Sequence, residues 1–123
     1  MIVAGFGSRR DVTAQALHDV LRAAEALCGA QADLLAAPAF RAGEAAFVEA
    51  AESMGLALRF IAEAEMAAVA PLCPTHSGRA LAAVGHASVA EAVCLAAAGP
   101  GARLILPRFA HPTATCALAE TAP

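Results

Sequence analysis

The chain contains no tryptophan and no tyrosine; its aromatic content is five phenylalanines in 123 residues. A core so thin in bulky side chains must close through aliphatic and alanine contacts. Cation excess is missing too: the net charge is −3, and no basic patch is interleaved with aromatics, which argues against nucleic acid as a partner. No apolar run reaches the roughly 18 residues of a membrane span. No basic segment precedes an apolar one at the N-terminus, so no signal peptide is read there. A cytoplasmic protein is the expectation. The four cysteines, Cys28, Cys73, Cys94 and Cys116, are far apart and form no CxxC pair. That spacing predicts reduced, structural thiols. Cys73 and His76 have the spacing of a metal-ligand pair, but no second pair follows, so neither a zinc site nor any cofactor is expected. Internal repeats and low-complexity linkers are also missing, which leaves one domain over residues 1–123.

What is present is a chain that is 59% hydrophobic, much of it alanine, suited to helices and close packing. "MIVAGFG" reads as a short buried strand ending in a glycine turn. Asp11 or Thr13 then caps a helix to about Cys28, with an apolar stripe of Leu17, Val20, Leu21, Ala24, Leu27 and Cys28, stopped by Gly29. "DLLAAPAF" is a second strand ended by Pro38. "GEAAFVEAAESMG" is a second helix that buries Phe47, Val48, Ala51 and Met54 and closes at Gly55. "LALRFI" is a third strand with Leu58 and Phe60 on one face, and "EAEMAAV" a short helix cut by Pro71. A further short helix is expected over residues 77–84. In "SVAEAVCLAAAGPG", Ser88 and Glu91 have the spacing of a capping box, and Gly99-Pro100-Gly101 stops the helix. "ARLILP" and "TATCALA" form a closing hairpin around the five-residue loop "RFAHP". Strands alternating with helices predict an α/β fold: a mainly parallel sheet flanked by helices, with a C-terminal antiparallel hairpin added at one edge.

The richest chemistry lies in "IVAGFGSRRDVT", residues 2–13. In a parallel α/β sheet, ligands bind beyond the carboxyl ends of strands. Gly5 and Gly7 let backbone approach a ligand. The N–H groups of a following helix attract an anion, and Arg9 and Arg10 add planar donors suited to carboxylate or phosphate. A dinucleotide fingerprint fails, because Arg10 takes the third glycine position and the second strand ends without an acidic residue. A P-loop fails for want of G-K-[ST]. The reading is an anion site that is neither nicotinamide-binding nor nucleoside-triphosphate-binding.

Three stretches in order, "VAGFGSRRDVTAQAL", "LLAAPAFRAGEAAFVEAAESMGLALRFI" and "VGHASVAEAVCLAAAGPGARLILPRFAHPTATCALA", resemble the CobE family, which is also the C-terminal domain of CbiG, from cobalamin (vitamin B12) biosynthesis. Where family members carry Lys-x-x-Glu this chain has Arg41 and Glu44. Arg108 stands at the lysine of the last motif. Ala37 and Ala39 replace the Thr and Asp found in many members. Positive charge is kept and two polar groups are lost, which favours anion binding over bond-breaking. The resemblance implies as ligand a corrinoid or precorrin intermediate of the aerobic route, near hydrogenobyrinic acid, fringed with carboxylates. It implies other cobalamin-biosynthesis enzymes as partners. The site residues it points to, with the glycine turn, are Gly5, Gly7, Ser8, Arg9, Arg10, Arg41, Glu44, Ser88 and Arg108.

Two functions follow. The first is a non-enzymatic carrier or accessory protein that binds the intermediate unchanged. The second is a hydrolase or lyase acting on a precorrin side-chain lactone, by analogy with CbiG. The enzyme would need a base, a water site and an oxyanion holder. Glu91 reads as a helix cap, Ser88 as a cap whose helix end suits a second carboxylate, and His18 as a surface residue. His86 and His111 fall in loops. No cysteine sits on a nucleophile elbow.

Overall fold

The computed structural model describes residues 1–74 and 88–123. Five strands, β1 (Ile2–Ser8), β2 (Leu34–Pro38), β3 (Ala57–Ile61), β4 (Arg103–Ala110) and β5 (Ala114–Glu120), form one sheet in the order β3-β2-β1-β5-β4. β1 pairs in parallel with β2, and β2 with β3. β5 alone runs the other way, antiparallel to both β1 and β4. The carboxyl ends of β1, β2, β3 and β4 therefore share one edge of the sheet. The expected α/β class, mainly parallel with a C-terminal antiparallel hairpin, is the one found.

The helices among the described residues are α1 (Ala14–Cys28), α2 (Ala45–Met54), α3 (Glu63–Val69) and α4 (Val89–Ala98), with 3-10 turns at Ala39–Arg41 and Ala70–Leu72. Strand alternation sorts side chains to two layers. Ala4, Phe6, Leu35 and Leu118 face α1 and α2, meeting Leu17, Leu21 and Phe47. Phe47 bridges Phe6 and Phe60, its ring centroid 6.5 and 6.4 Å from theirs, so three of the five phenylalanines make one contact chain. Val3, Ala36, Ile61, Ala117 and Ala119 face the other layer, with Met66 of α3 and Val93 and Cys94 of α4.

Several local expectations are corrected. Thr13, not Asp11, caps α1: its Oγ1 accepts the Ala16 N–H at 3.0 Å. Leu27 is 64% exposed. The buried place in the last turn goes to Glu25, whose carboxylate accepts the Ala32 N–H at 2.8 Å and pairs with Arg22 at 2.9 Å. In α2, Ala50 is buried and Val48 is 43% exposed. Positions 47, 50, 51 and 54 keep the helical repeat, and Val48 falls about 100° away from Phe47. The closing hairpin differs most. "RFA" is strand, so the loop shrinks to residues 111–113. The hairpin does join one edge of the sheet as expected; within it β5 lies between β1 and β4, because its residues bury on both faces, Cys116, Ala117, Leu118 and Ala119 all at 0% exposure. β4 is the edge, and it carries Pro107 and two register shifts, features that blunt an open edge. The helix expected at 77–84, with His76 and His86, lies outside the described residues.

Candidate functional site

Gly5 and Gly7 do not form a turn. Both lie inside β1, which runs to Ser8, and both face α4. A Cβ on Gly5 would collide with the Ala90 carbonyl oxygen and stand 2.7 Å from Cys94 N. A Cβ on Gly7 would stand 2.7 Å from Thr115 Oγ1. These glycines let α4 settle onto the sheet, and Gly5 is too well covered to meet a ligand. The close approach also brings the N-terminus of α4 down beside the end of β1.

A cleft of about 340 Å³ opens there. Its walls are Gly7, Ser8 and Arg9 at the end of β1, Ser88 and Val89 at the start of α4, Arg108 on β4, and residues 111–115 of the hairpin. Two arginines, Arg9 and Arg108, and the positive end of a ten-residue helix thus line one small space at the carboxyl edge of the sheet. Such a set favours anions, because the helix dipole and the planar donors act in the same direction. Arg9 is tied to the hairpin through its N–H, which donates to the Thr113 carbonyl at 3.3 Å. Thr115 Oγ1 donates to the Gly7 carbonyl at 3.4 Å, closing β5 against β1 in the floor of the cleft.

Arg108 is held from beneath. Its backbone N–H donates to Glu91 Oε2 at 2.8 Å, and Glu91 is fully buried. Half of the expected capping box is present, since Ser88 Oγ accepts the Glu91 N–H at 3.4 Å. The carboxylate turns to β4 instead of closing the box, and it fixes the strand where Arg108 projects. Burial, and then the charge of Glu91, pushes the Cys73 thiol up to about 11. Burial also raises Cys94 well above its ordinary value, with Cys116, Cys73 and Glu91 adding to the effect. Cys116 is raised chiefly by burial. These three thiols stay protonated near neutral pH, as structural cysteines do.

The site residues expected from sequence divide into two groups. Gly7, Ser8, Arg9, Ser88 and Arg108 meet in the cleft. Gly5, Arg10, Arg41 and Glu44 do not line it. Arg10 is exposed in the turn after β1, and among the described residues no ion pair holds it. Arg41 and Glu44 pair with each other at 3.3 Å on the β2 side of β1. Outside that expected set the cleft is lined by Val89 and by residues 111–115 of the hairpin, of which His111 reads from sequence only as a loop histidine. His111 packs on Phe109 with ring centroids 5.4 Å apart. Its loop position was legible, but its proximity to Arg9 follows from β5 pairing with β1. Among the described residues, no group of three or more His, Cys, Asp and Glu side chains could hold a metal, and no helix is long and apolar enough to cross a membrane.

The family model described as cobalamin synthesis G C-terminus matches residues 2–119. The solved structure of cobalamin biosynthesis protein chiG from Agrobacterium tumefaciens is 38% identical over 100% of both chains, with a TM-score of 0.84. That of CobE, a protein from the cobalamin (vitamin B12) biosynthetic pathway, is 30% identical over 97% of this chain and 89% of its own, with a TM-score of 0.87. No curated protein sequence matches the chain.

Proposed function

Because this chain belongs to the cobalamin synthesis G C-terminal family, we propose that it binds a polycarboxylated corrinoid or precorrin intermediate and holds it unchanged for another enzyme of the pathway. It is a cytoplasmic carrier or accessory protein of the aerobic route in this reading, and its ligand stands near hydrogenobyrinic acid. The observation that carries the proposal is the convergence of Arg9, Arg108 and the N-terminus of α4 in one cleft. Each charge-assisted hydrogen bond to a carboxylate contributes about 1.5–3 kcal/mol, so two arginines and a helix end suffice for useful affinity. The cleft, at about 340 Å³, is at the small end of ligand pockets. It accepts carboxylate arms while the macrocycle lies across the rim. Phe40, 60% exposed on the turn after β2, offers an apolar face at the same edge of the sheet.

Carriage is favoured over bond-breaking by the groups in the cleft. The buried thiols are poor nucleophiles, since burial keeps them protonated. Among the described residues, His111 is the one titratable base lining the cleft, and no side chain of those residues hydrogen-bonds its ring to aim it. Ala37 is packed in the core, at 0% exposure, and brings no polar group to the edge.

The test is to incubate the purified chain with hydrogenobyrinic acid and separate bound from free pigment by gel filtration. With no Trp or Tyr, the protein leaves the near-ultraviolet bands of the pigment clear as well as the visible ones. Pigment that co-elutes with an unchanged spectrum is the expected result. A changed spectrum would move the function to lactone hydrolysis or lyase chemistry. Pigment that elutes entirely free would overturn binding of this compound.

A further inference from the structure

Arg41 and Glu44 flank the entry to α2, with side chains only 18% and 25% exposed. Arg41 Nη1 lies 3.3 Å from Glu44 Oε2, and Nη2 donates to the Ser8 carbonyl at 3.1 Å. The other carboxylate oxygen, Glu44 Oε1, accepts the Asp11 N–H at 3.0 Å. Ser8 and Asp11 bracket Arg9 and Arg10, so one ion pair grips both ends of the 8–11 loop. Asp11 sits at φ 61° and is the only non-glycine residue with positive φ among those described. A residue with a Cβ disfavours that conformation, so the loop needs external contacts to keep it. Both terminal nitrogens of Arg41 are taken, one on Glu44 and the other on Ser8, and the guanidinium lies 5.3 Å from the Phe40 ring centre, while Nε is buried without a hydrogen-bond partner among the described residues.

We infer that the Arg41–Glu44 pair is a latch: it fixes the 8–11 loop and thereby sets where Arg9 stands in the cleft, and neither residue touches the ligand. The inference rests on reading the cleft as the anion site, and it gives Arg41 and Glu44 the role of positioning residues. A direct contact and a latch predict opposite signs. Were Arg41 a ligand contact, Glu44 would compete with the anion for it, and Glu44→Ala would tighten binding. As half of a latch, Glu44→Ala loosens the loop and weakens binding.

The test titrates the full chain with hydrogenobyrinic acid at several salt concentrations, for wild type, Arg41→Ala, Glu44→Ala, the double variant, Glu44→Gln and Arg9→Ala. Each latch variant is expected to bind about 3- to 10-fold more weakly, the effect of one or two hydrogen bonds lost. The double variant should be no weaker than the worse single one, because the two residues act as a unit. Glu44→Gln keeps an oxygen for the Asp11 N–H and should fall between wild type and Glu44→Ala. Latch variants should retain the wild-type salt dependence, since the charges meeting the ligand are unchanged, whereas Arg9→Ala should flatten it. Tighter or unchanged binding in Glu44→Ala, or additive losses in the double variant, would overturn the latch. Hydrogen exchange at the Asp11 amide gives a readout without ligand. Glu44→Ala should accelerate it, and unchanged exchange would also overturn the latch. If wild type binds no pigment, the carrier reading fails by itself, and the exchange result still decides the latch.

Discussion

Replacing Gly5 with alanine tests whether that glycine serves packing or a ligand. The new methyl would overlap the Ala90 carbonyl oxygen and stand 2.7 Å from Cys94 N and 2.8 Å from Cys94 Cβ. Comfortable carbon contacts begin near about 3.5 Å, so α4 must shift outward by roughly 1 Å. The obstructing atoms are mostly helix backbone, and no side-chain rotation relieves them. Overpacking costs about 1–3 kcal/mol where side chains can adjust; here the upper end applies. The lower entropy of an alanine in the unfolded chain offsets about 0.4–1 kcal/mol of this. A net loss of about 2 kcal/mol remains. For a domain of this length that lowers the melting temperature by roughly 6–10 °C. The assay is a thermal melt followed by far-ultraviolet circular dichroism, with Gly43→Ala as control. Nothing lies within 4 Å of a Cβ at Gly43, so that variant should melt within about 2 °C of wild type. Gly5→Ala should also weaken pigment binding, because the displaced helix carries Ser88 away from Arg9. A Gly5→Ala protein that melts like the control would refute the packing account and restore the glycine turn as a ligand cradle.

Two further predictions separate neighbouring residues. Arg9→Ala and Arg108→Ala should each weaken binding of hydrogenobyrinic acid by about 1.5–3 kcal/mol, while Arg10→Ala, outside the cleft, should change it by less than about 0.5 kcal/mol; titration at fixed low salt checks all three, and equal losses for Arg9 and Arg10 would contradict the placement. The thiols make stability fall at alkaline pH. Cys73 is raised from 9.0 to about 11 in the folded state, so its contribution is complete below pH 9 and is lost as pH rises through 11. Discounted for solvent screening, that loss is on the order of 1 kcal/mol, with Cys94 acting in the same direction. Denaturant titrations at pH 8 and pH 11 measure it, and Cys73→Ala should flatten the difference.

Most of the fold was legible locally. The stripe of Leu17, Val20, Leu21 and Ala24 is written at helical spacing, and all four are fully buried. Helices α1 and α2 end at Gly29 and Gly55, as read from their sequences. Thr13 and Ser88 were visible as caps because capping is a matter of three or four adjacent residues. Single-residue errors arose where two apolar residues competed for one face. Val48 adjoins Phe47, and a neighbour in a helix points about 100° away.

The candidate site was half legible. Arginines and glycines near a strand end signalled an anion, and the three ordered motifs signalled the family. Which arginines act together was not written in their spacing. Arg9 and Arg108 are far apart in the chain, and Arg9 and Arg10 are adjacent, yet the cleft admits Arg9 and Arg108 and leaves Arg10 out. Arg41 and Glu44 read as site residues because they stand where the resembling family carries Lys-x-x-Glu. Their hydrogen bonds to Ser8 and Asp11 emerge only when the turn after β2 lies beside the end of β1.

By itself the sequence determined the elements, their caps and stops, the two-faced core pattern and the family, because each depends on side chains a few residues apart or on an ordered set of short motifs. The tertiary structure decided that β5 enters between β1 and β4, that Gly5 yields to α4, and that Glu91 braces Arg108. Those outcomes depend on which surfaces bury against each other across the whole chain, and no local period encodes that choice.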